Sequence, residues 1–296
     1  MKSMVLAVGG GKGGTGKSVI CTQLGVVFAQ MGYRVVLVDA DRQGANLHTF
    51  FGLEDPAISF EWIFHAQGDP NRAILPSGVK RLGLVAGLRE EMLSQPDEEQ
   101  MRALAERLRQ LDADIVLWDV GSGSELWQTI LFERADCGLL VSSPSPTSIE
   151  KDYRFFRHVC RWRLAEMPMQ QSLPASGWLP VPWLASVMRV DMEQAHALQA
   201  QLRRAPLLVL INGALQPDDR AVGQDMIAAL RRFFGIYGRA VGALDFDERL
   251  WLSIRQRRPA VLEYPESLWV EQLQVSARLI LQSMHRSDWS TSPEAS

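Results

Sequence analysis

The sequence predicts an α/β fold: a doubly wound, mostly parallel sheet of the P-loop type, flanked by helices and carrying a Trp/Pro-rich insertion. Two observations lead there. Short apolar runs alternate along the chain with longer helical patterns, and the first run leads into a glycine-rich loop that opens a helix. The runs at 4–8, 35–38, 82–85, 115–118, 138–141, 207–211 and 240–244 are rich in Val, Leu and Ile. They do not alternate with polar residues, as expected of strands covered on both faces. Helical patterns lie around 17–31, 97–110, 124–134, 146–161, 218–234 and 266–285. One α/β domain is expected over 1–286, with a disordered tail at 287–296, where the residues are small and polar.

Composition narrows the class. The 296 residues are 47% hydrophobic and 22% charged, enough apolar side chain for a large core and too much for extensive disorder. A net charge of −3 gives no whole-chain reason to expect nucleic acid. Cys21, Cys137 and Cys160 lie far apart without C-x-x-C spacing, so neither a zinc site nor a disulfide framework is indicated. Reduced thiols fit a cytoplasmic protein. No uncharged apolar run approaches the ~18 residues of a spanning helix, and the run at 4–8 is too short for a secretory leader.

The stretch from about 160 to 206 breaks the rhythm. It holds five of the 15 prolines, and Trp162, Trp178 and Trp183 among the nine tryptophans. Prolines 168, 174, 180 and 182 exclude a continuous helix, and the chain reads as helical again over 190–204. Such an insertion is either a packed excursion or a surface for a protein partner, which exposed tryptophan favours.

The chemistry begins at Gly11-x-x-x-x-Gly16-Lys17-Ser18, between a predicted strand and a predicted helix. Glycines let backbone N–H groups turn toward phosphate oxygens while the positive end of the helix dipole faces the same point. The expected nucleotide contacts are Gly11, Gly13, Gly14, Thr15, Gly16, Lys17, Ser18 and Val19. Lys17 reaches β- and γ-phosphates in such a loop, and the Ser18 hydroxyl ligates Mg²⁺. Strands at 35–38 and 115–118 lead into Asp39-Ala40-Asp41 and Asp119-Val120-Gly121. Carboxylates at strand ends beside the phosphates hold Mg²⁺ through its water shell or orient an attacking water, so Asp39, Asp41 and Asp119 join Ser18 as metal candidates.

Lys12-Gly13-Gly14-Thr15-Gly16-Lys17-Ser18 resembles the deviant Walker A sequence of the MinD/ParA ATPases, which the extra lysine, Lys12, sets apart from other P-loop proteins. Val38-Asp39-Ala40-Asp41 with Gly44-Ala45-Asn46-Leu47-His48 resembles the switch segment of that family, closest to the flagellar-number regulators of the FlhG/FleN type. Asp119-Val120-Gly121 is similar to the Walker B position, and 143–148 to the T-P-E-P-T-[AS] loop. Asn212 resembles the strand-end adenine contact, and Gly242 to Asp247 resembles the base loop, which brings in Leu244, Asp245 and Asp247. Asp245 stands where that loop carries proline.

The resemblance implies an ATP- and Mg²⁺-dependent homodimer that hydrolyses ATP slowly and controls the placement or number of a cellular assembly. It implies that Lys12 reaches the partner copy's phosphates, Lys17 its own, and Asp41 the attacking water, with Asp39 and Asp119 supporting Mg²⁺. It also implies a regulatory protein partner and moving loops at 41–52 and 120–129. Two other classes stay open: a metabolic or iron–sulfur carrier relative, and a nucleotide-binding scaffold with negligible turnover. For an iron–sulfur cluster, Cys21 and Cys137 are poorly placed.

Two surfaces were weighed against membrane and DNA. The last helical pattern sets Trp269, Leu273, Ala277, Ile280 and Met284 on one face with few opposing basic residues, which predicts packing rather than membrane attachment. Arg249, Arg255, Arg257 and Arg258 form the densest basic cluster, read as a solvated or paired face in preference to a non-specific DNA surface.

Overall fold

The computed structural model describes residues 3–42, 44–54, 60–65, 68–87, 96–167, 179–189 and 191–285. Its strands are β1 (Met4–Gly10), β2 (Val35–Asp39), β3 (Leu75–Pro76), β4 (Leu82–Val85), β5 (Ile115–Ser122), β6 (Cys137–Ser142), β7 (Leu207–Ala214) and β8 (Gly238–Asp245). They form one sheet in the order β3-β4-β2-β5-β1-β6-β7-β8. All neighbours run parallel except the short edge pair β3–β4. The predicted strands are all present, and β3 is the addition: two residues are too few to leave a pattern.

Side chains alternate across the sheet. Val5 and Ala7 face one core layer while Leu6 and Val8 face the other; Val116 and Trp118 oppose Ile115 and Leu117 in the same way. One layer is covered by α1 (Lys17–Gln30), α10 (Ala260–Glu263) and α11 (Leu268–Met284). The other packs against α2 (Phe60–His65), α3 (Glu98–Leu108), α4 (Leu126–Arg134), α5 (Pro146–Ala165), α6 (Pro180–Met188), α7 (Met192–Leu202) and α8 (Val222–Ala229). Helix α9 (Glu248–Arg255) lies between β8 and α10 in the chain. Both faces being apolar explains why the strands read as continuous hydrophobic runs.

Several boundaries differ from the expectation. Strand β5 continues three residues past Asp119, because Gly10 pairs with Ser122 beyond an irregularity in the β1–β5 register. Asp119 is therefore inside a strand rather than at its end. The pattern at 218–234 divides into a 3₁₀ turn at Pro217–Arg220, α8, and a wide π turn at Leu230–Phe234. Helix α11 buries Trp269, Leu273, Ala277 and Ile280 against the sheet, as predicted.

In the insertion, Pro180 and Pro182 occupy the first turn of α6, where a missing N–H costs nothing. Trp162 and Trp183 are half-buried and pack against the core. Trp178, Pro168, Pro174 and the tail expected at 287–296 lie outside the described residues. Arg163 of α5 donates to Glu133 of α4 at 2.7 Å with both side chains almost fully buried, and Arg204 after α7 reaches the same Glu133 at 2.7 Å. Arg204 also pairs with Glu166, which binds Arg134 at 2.6 Å and Arg102 at 3.1 Å. This network ties α3, α4, α5 and α7 together.

Breaking such a pair strands a charge out of water, which typically costs about 3–5 kcal/mol. Glu133→Ala is expected to lower unfolding stability on that order, measured as a reduced urea midpoint at unchanged m-value.

Candidate nucleotide-binding site

The site lies at the carboxyl end of β1, which the sheet order places between β5 and β6. Open α/β sheets bind ligands in this position. The loop from Gly11 to Gly16 leaves β1 and enters α1, whose first residue is Lys17. Gly16 caps that helix at φ 91°, and a side chain there would collide with Asn212 Nδ2. Glycine meets both demands at once.

The loop is fastened from three sides. Gly11 N–H donates to Asp152 Oδ1 at 2.7 Å, and Ser142 Oγ donates to Asp152 Oδ2 at 2.5 Å. Thr15 Oγ1 donates to the Val141 carbonyl at 3.0 Å, and Asn212 Nδ2 donates to the Thr15 carbonyl at 3.0 Å. Strands β6 and β7 and helix α5 thus hold a loop that has no regular structure of its own.

The two lysines are handled differently. Lys17 is buried and its Nζ donates to the Lys12 carbonyl at 2.8 Å, inside the loop. Burial lowers its pKa, opposed by Asp119, Asp152 and Asp41. Lys12 Nζ points the other way and donates to Thr147 Oγ1 at 2.9 Å on the exposed side.

Asp39 and Asp119 are register partners on β2 and β5, and both are fully buried. Asp39 Oδ2 accepts from Leu47 N–H at 2.8 Å and Oδ1 from Asp41 N–H at 3.4 Å, so both oxygens hold the segment that follows β2. Burial, with Asp119 alongside, raises its pKa well above the carboxylate range. Asp119 Oδ1 accepts from Gly121 N–H at 3.2 Å, while Oδ2 is buried without a hydrogen-bond partner. Burial pushes its pKa up to about 6, against the Ser18 hydroxyl and the Gly121 N–H, which favour the charged form. Asp41 stands at the mouth: its Oδ1 accepts from Gly44 N–H at 3.2 Å, and its carboxylate fills the space a Cβ on Gly121 (φ 74°) would need.

An unpartnered carboxylate oxygen beside a serine hydroxyl is the donor chemistry of Mg²⁺, which takes one or two carboxylates and completes its shell with water and phosphate. Among the described residues no three His, Cys, Asp or Glu side chains converge to hold a metal alone. Of the four metal candidates, Ser18 and Asp119 therefore fit best, with Asp39 committed to backbone and Asp41 further out.

A cavity of about 330 Å³ extends from Gly14, Thr15, Gly16 and Val19 past Asn212 to Asp245, Phe246, Asp247 and Trp251. The residues of the base-loop resemblance are placed differently around it. The Leu244 side chain is buried in the core and cannot touch a base, because alternation along β8 turns it inward. Asp245 lines the cavity but is held by Arg220 at 2.8 Å and by Gln272 Nε2 at 3.0 Å. Asp247 caps α9 and pairs with Arg249 at 2.7 Å. Arg257 pairs with Glu54 and Arg258 with Glu263, which supports the paired reading of that basic cluster. No described helix is long and apolar enough to cross a membrane. Cys21, Cys137 and Cys160 are all buried, away from any surface where a shared cluster could form.

Asp152 was missed from sequence. The signal was there: an acid on the apolar face of the 146–161 pattern, beside Phe155 and Phe156, needs a partner. Burial pushes its pKa up to about 6. Between about pH 4 and about pH 6 the folded chain retains protons at Asp119 and Asp152 that the unfolded chain has lost, so stability falls as pH rises through that window. Asp152→Asn, which keeps an acceptor for Gly11 N–H, is expected to flatten that fall in the nucleotide-free protein, read as melting temperature against pH.

Comparison with known proteins agrees with this geometry. Residues 6–250 match the CobQ/CobB/MinD/ParA nucleotide binding domain. An uncharacterised ATP-binding protein of Methanocaldococcus jannaschii is 30% identical over 151 residues, 50% of this chain and 56% of that one. The flagellum site-determining protein YlxH of Helicobacter pylori is 31% identical over 163 residues, 50% of this chain and 51% of that one. This chain thus spans about half the length of either relative. The septum site-determining protein MinD of Pyrococcus horikoshii, solved with Mg-ADP, superposes with a TM-score of 0.64 over 97% of this chain and 100% of its own, at 18% identity, and shares the fold. With a match over most of its length and a phosphate loop built as described, the chain belongs to the CobQ/CobB/MinD/ParA nucleotide-binding family.

Proposed function

We propose that this protein is a positioning or regulatory ATPase: it binds ATP with Mg²⁺, dimerises on it, and hydrolyses it slowly to reset. One observation carries the reading. The loop holds two lysines with opposite assignments, Lys17 buried over its own phosphate site and Lys12 on the outside, tethered by a hydrogen bond to the uncharged Thr147 hydroxyl. A hydrogen bond from a charged donor contributes about 1.5–3 kcal/mol, and an anionic phosphate presented by a second copy outcompetes an uncharged hydroxyl for the same ammonium. A cation delivered across an interface to phosphoryl oxygens stabilises charge as an arginine finger does.

The chain's own residues divide the remaining work. Backbone N–H groups of Gly13 to Ser18 and the start of α1 hold the phosphates. Ser18 and Asp119 would hold Mg²⁺, which would neutralise phosphate charge there. Asp41, at the mouth, accepts a proton from or orients the attacking water. Asn212 and the cavity beyond it take the nucleoside. Slow turnover follows if Asp41 reaches its working position only when a partner orders the 41–52 segment. That partner is a regulatory protein, and the cargo is a localised assembly of the kind named for the flagellum and septum relatives. The family's site-determining proteins support that reading over metabolic and scaffold alternatives.

Asp41→Ala is expected to bind ATP as the wild type does, to lose hydrolysis by at least ~100-fold, and to accumulate as dimer. Lys12→Ala is expected to bind ATP and stay monomeric. Light scattering with excess Mg-ATP, alongside phosphate release, reads both. A monomeric Asp41→Ala protein under those conditions would overturn the dimer switch.

A further inference from the structure

The loop after β2 carries Asp41, yet the described residues around it contain little regular structure to fix where that side chain goes. Its carboxylate accepts from Gly44 N–H within the same loop, and its backbone is fixed from outside the loop by the peptide just before it. Ala40 N–H donates to the Asp119 carbonyl of β5 at 2.9 Å, and the Ala40 carbonyl accepts from Trp127 Nε1 of α4 at 2.7 Å. That carbonyl belongs to the same planar unit as the Asp41 nitrogen, so the indole sets the plane from which Asp41 departs.

Trp127 is itself locked. It is 2% exposed, with Phe60 at 5.6 Å and Phe64 at 6.5 Å between ring centroids. The Arg42 guanidinium, one residue past Asp41, lies 5.3 Å from the indole centroid. Cation–π attraction of this kind holds the outgoing chain against the ring. Asp41 is thus preceded and followed by groups that the same tryptophan holds. The tryptophan is the second residue of α4, just beyond Gly121 and Gly123, and Gly121 is the residue against which the Asp41 carboxylate packs.

We propose that Trp127 is the positioning residue for Asp41: its indole N–H, through the Ala40 carbonyl, holds the carboxylate in hydrolytic register and ties the loop after β2 to the loop after β5. This rests on Asp41 being the residue that orients water. An ordinary core tryptophan would contribute ring packing alone, and Phe would replace it at a cost in stability only. A positioning tryptophan contributes through a single N–H, and misplacement of a reacting group by an ångström is enough to slow chemistry steeply.

The test is steady-state ATP hydrolysis by the full chain with Mg²⁺, together with melting temperature. Trp127→Phe is expected to lower kcat about tenfold or more while KM stays within about twofold. Replacing Trp127 by 3-benzothienylalanine, an isostere in which sulfur stands for the N–H, is expected to give the same fall with the melting temperature retained; it decides the matter if Trp127→Phe does not fold. Phe64→Leu, which trims the ring packing and leaves the N–H, is expected to lower the melting temperature and spare kcat. Unchanged kcat with the isostere, in a background where Asp41→Ala is inactive, overturns the role of Trp127 alone. Wild-type hydrolysis by Asp41→Ala overturns the reading of Asp41 and the role of Trp127 with it.

Discussion

Parallel pairing sets Asp39 of β2 directly beside Asp119 of β5, and the sheet leaves neither of them any water. Burial raises the pKa of both carboxyls, and a neighbouring like charge adds to it, Asp119 acting on Asp39 and Asp41 acting on Asp119. A fold tolerates this only where something offsets it. Here the offsets differ: Asp39 spends both oxygens on backbone N–H groups, while Asp119 keeps one oxygen unpartnered. The first arrangement organises a loop, and the second leaves a place for a divalent cation. Lys17, whose charge acts on Asp119, is itself buried and depressed in pKa. A Mg-nucleotide brings charge of both signs to this end of the sheet.

Asp152 shows how the same problem is solved without a ligand. Its two oxygens receive one N–H and one hydroxyl, and Lys17 and Lys12 add distant positive charge. It anchors the glycine loop from beneath rather than contacting anything in the cavity. A loop of glycines has much conformational entropy to lose. Fastening it at Gly11 and, through side chain and carbonyl, at Thr15 removes much of that loss before a nucleotide arrives.

Much of this was legible in the sequence because it is local. The glycine loop, Lys12, Lys17, Ser18 and the acids at 39, 41 and 119 are each encoded in a strand–loop–helix segment whose period changes abruptly, and every predicted strand formed. What was not legible depends on which strands become neighbours. The pairing of Gly10 with Ser122 carries β5 past Asp119, a consequence of register. The inward turn of Leu244 is a consequence of alternation on a strand whose phase the sequence left open. Helices α2, α9 and α10 span 4 to 8 residues, too few to display a 3.6-residue period. The base loop was read from resemblance, which places residues by position and says nothing about Arg220 and Gln272 arriving from elsewhere to occupy Asp245.

Helix α4 links the nucleotide end of the sheet to the insertion side. At its start Trp127 is bonded to the Ala40 carbonyl, and near its end Glu133 and Arg134 enter the ion network with Arg163, Arg204 and Glu166. Nine helical residues span only about 13 Å, and a helix that short does not bend without a proline or a bulge. Its two ends are therefore rigidly related. The loop that bears Asp41 and the helices α5 and α7 of the insertion side are both attached to it, one through an indole and one through buried charge. A shift of the loop after β5 large enough to reorient Trp127 has to be matched by strain or rearrangement among pairs for which broken geometry is costly. The insertion is thereby mechanically continuous with the nucleotide end of the sheet, with its two described tryptophans half-buried against the core.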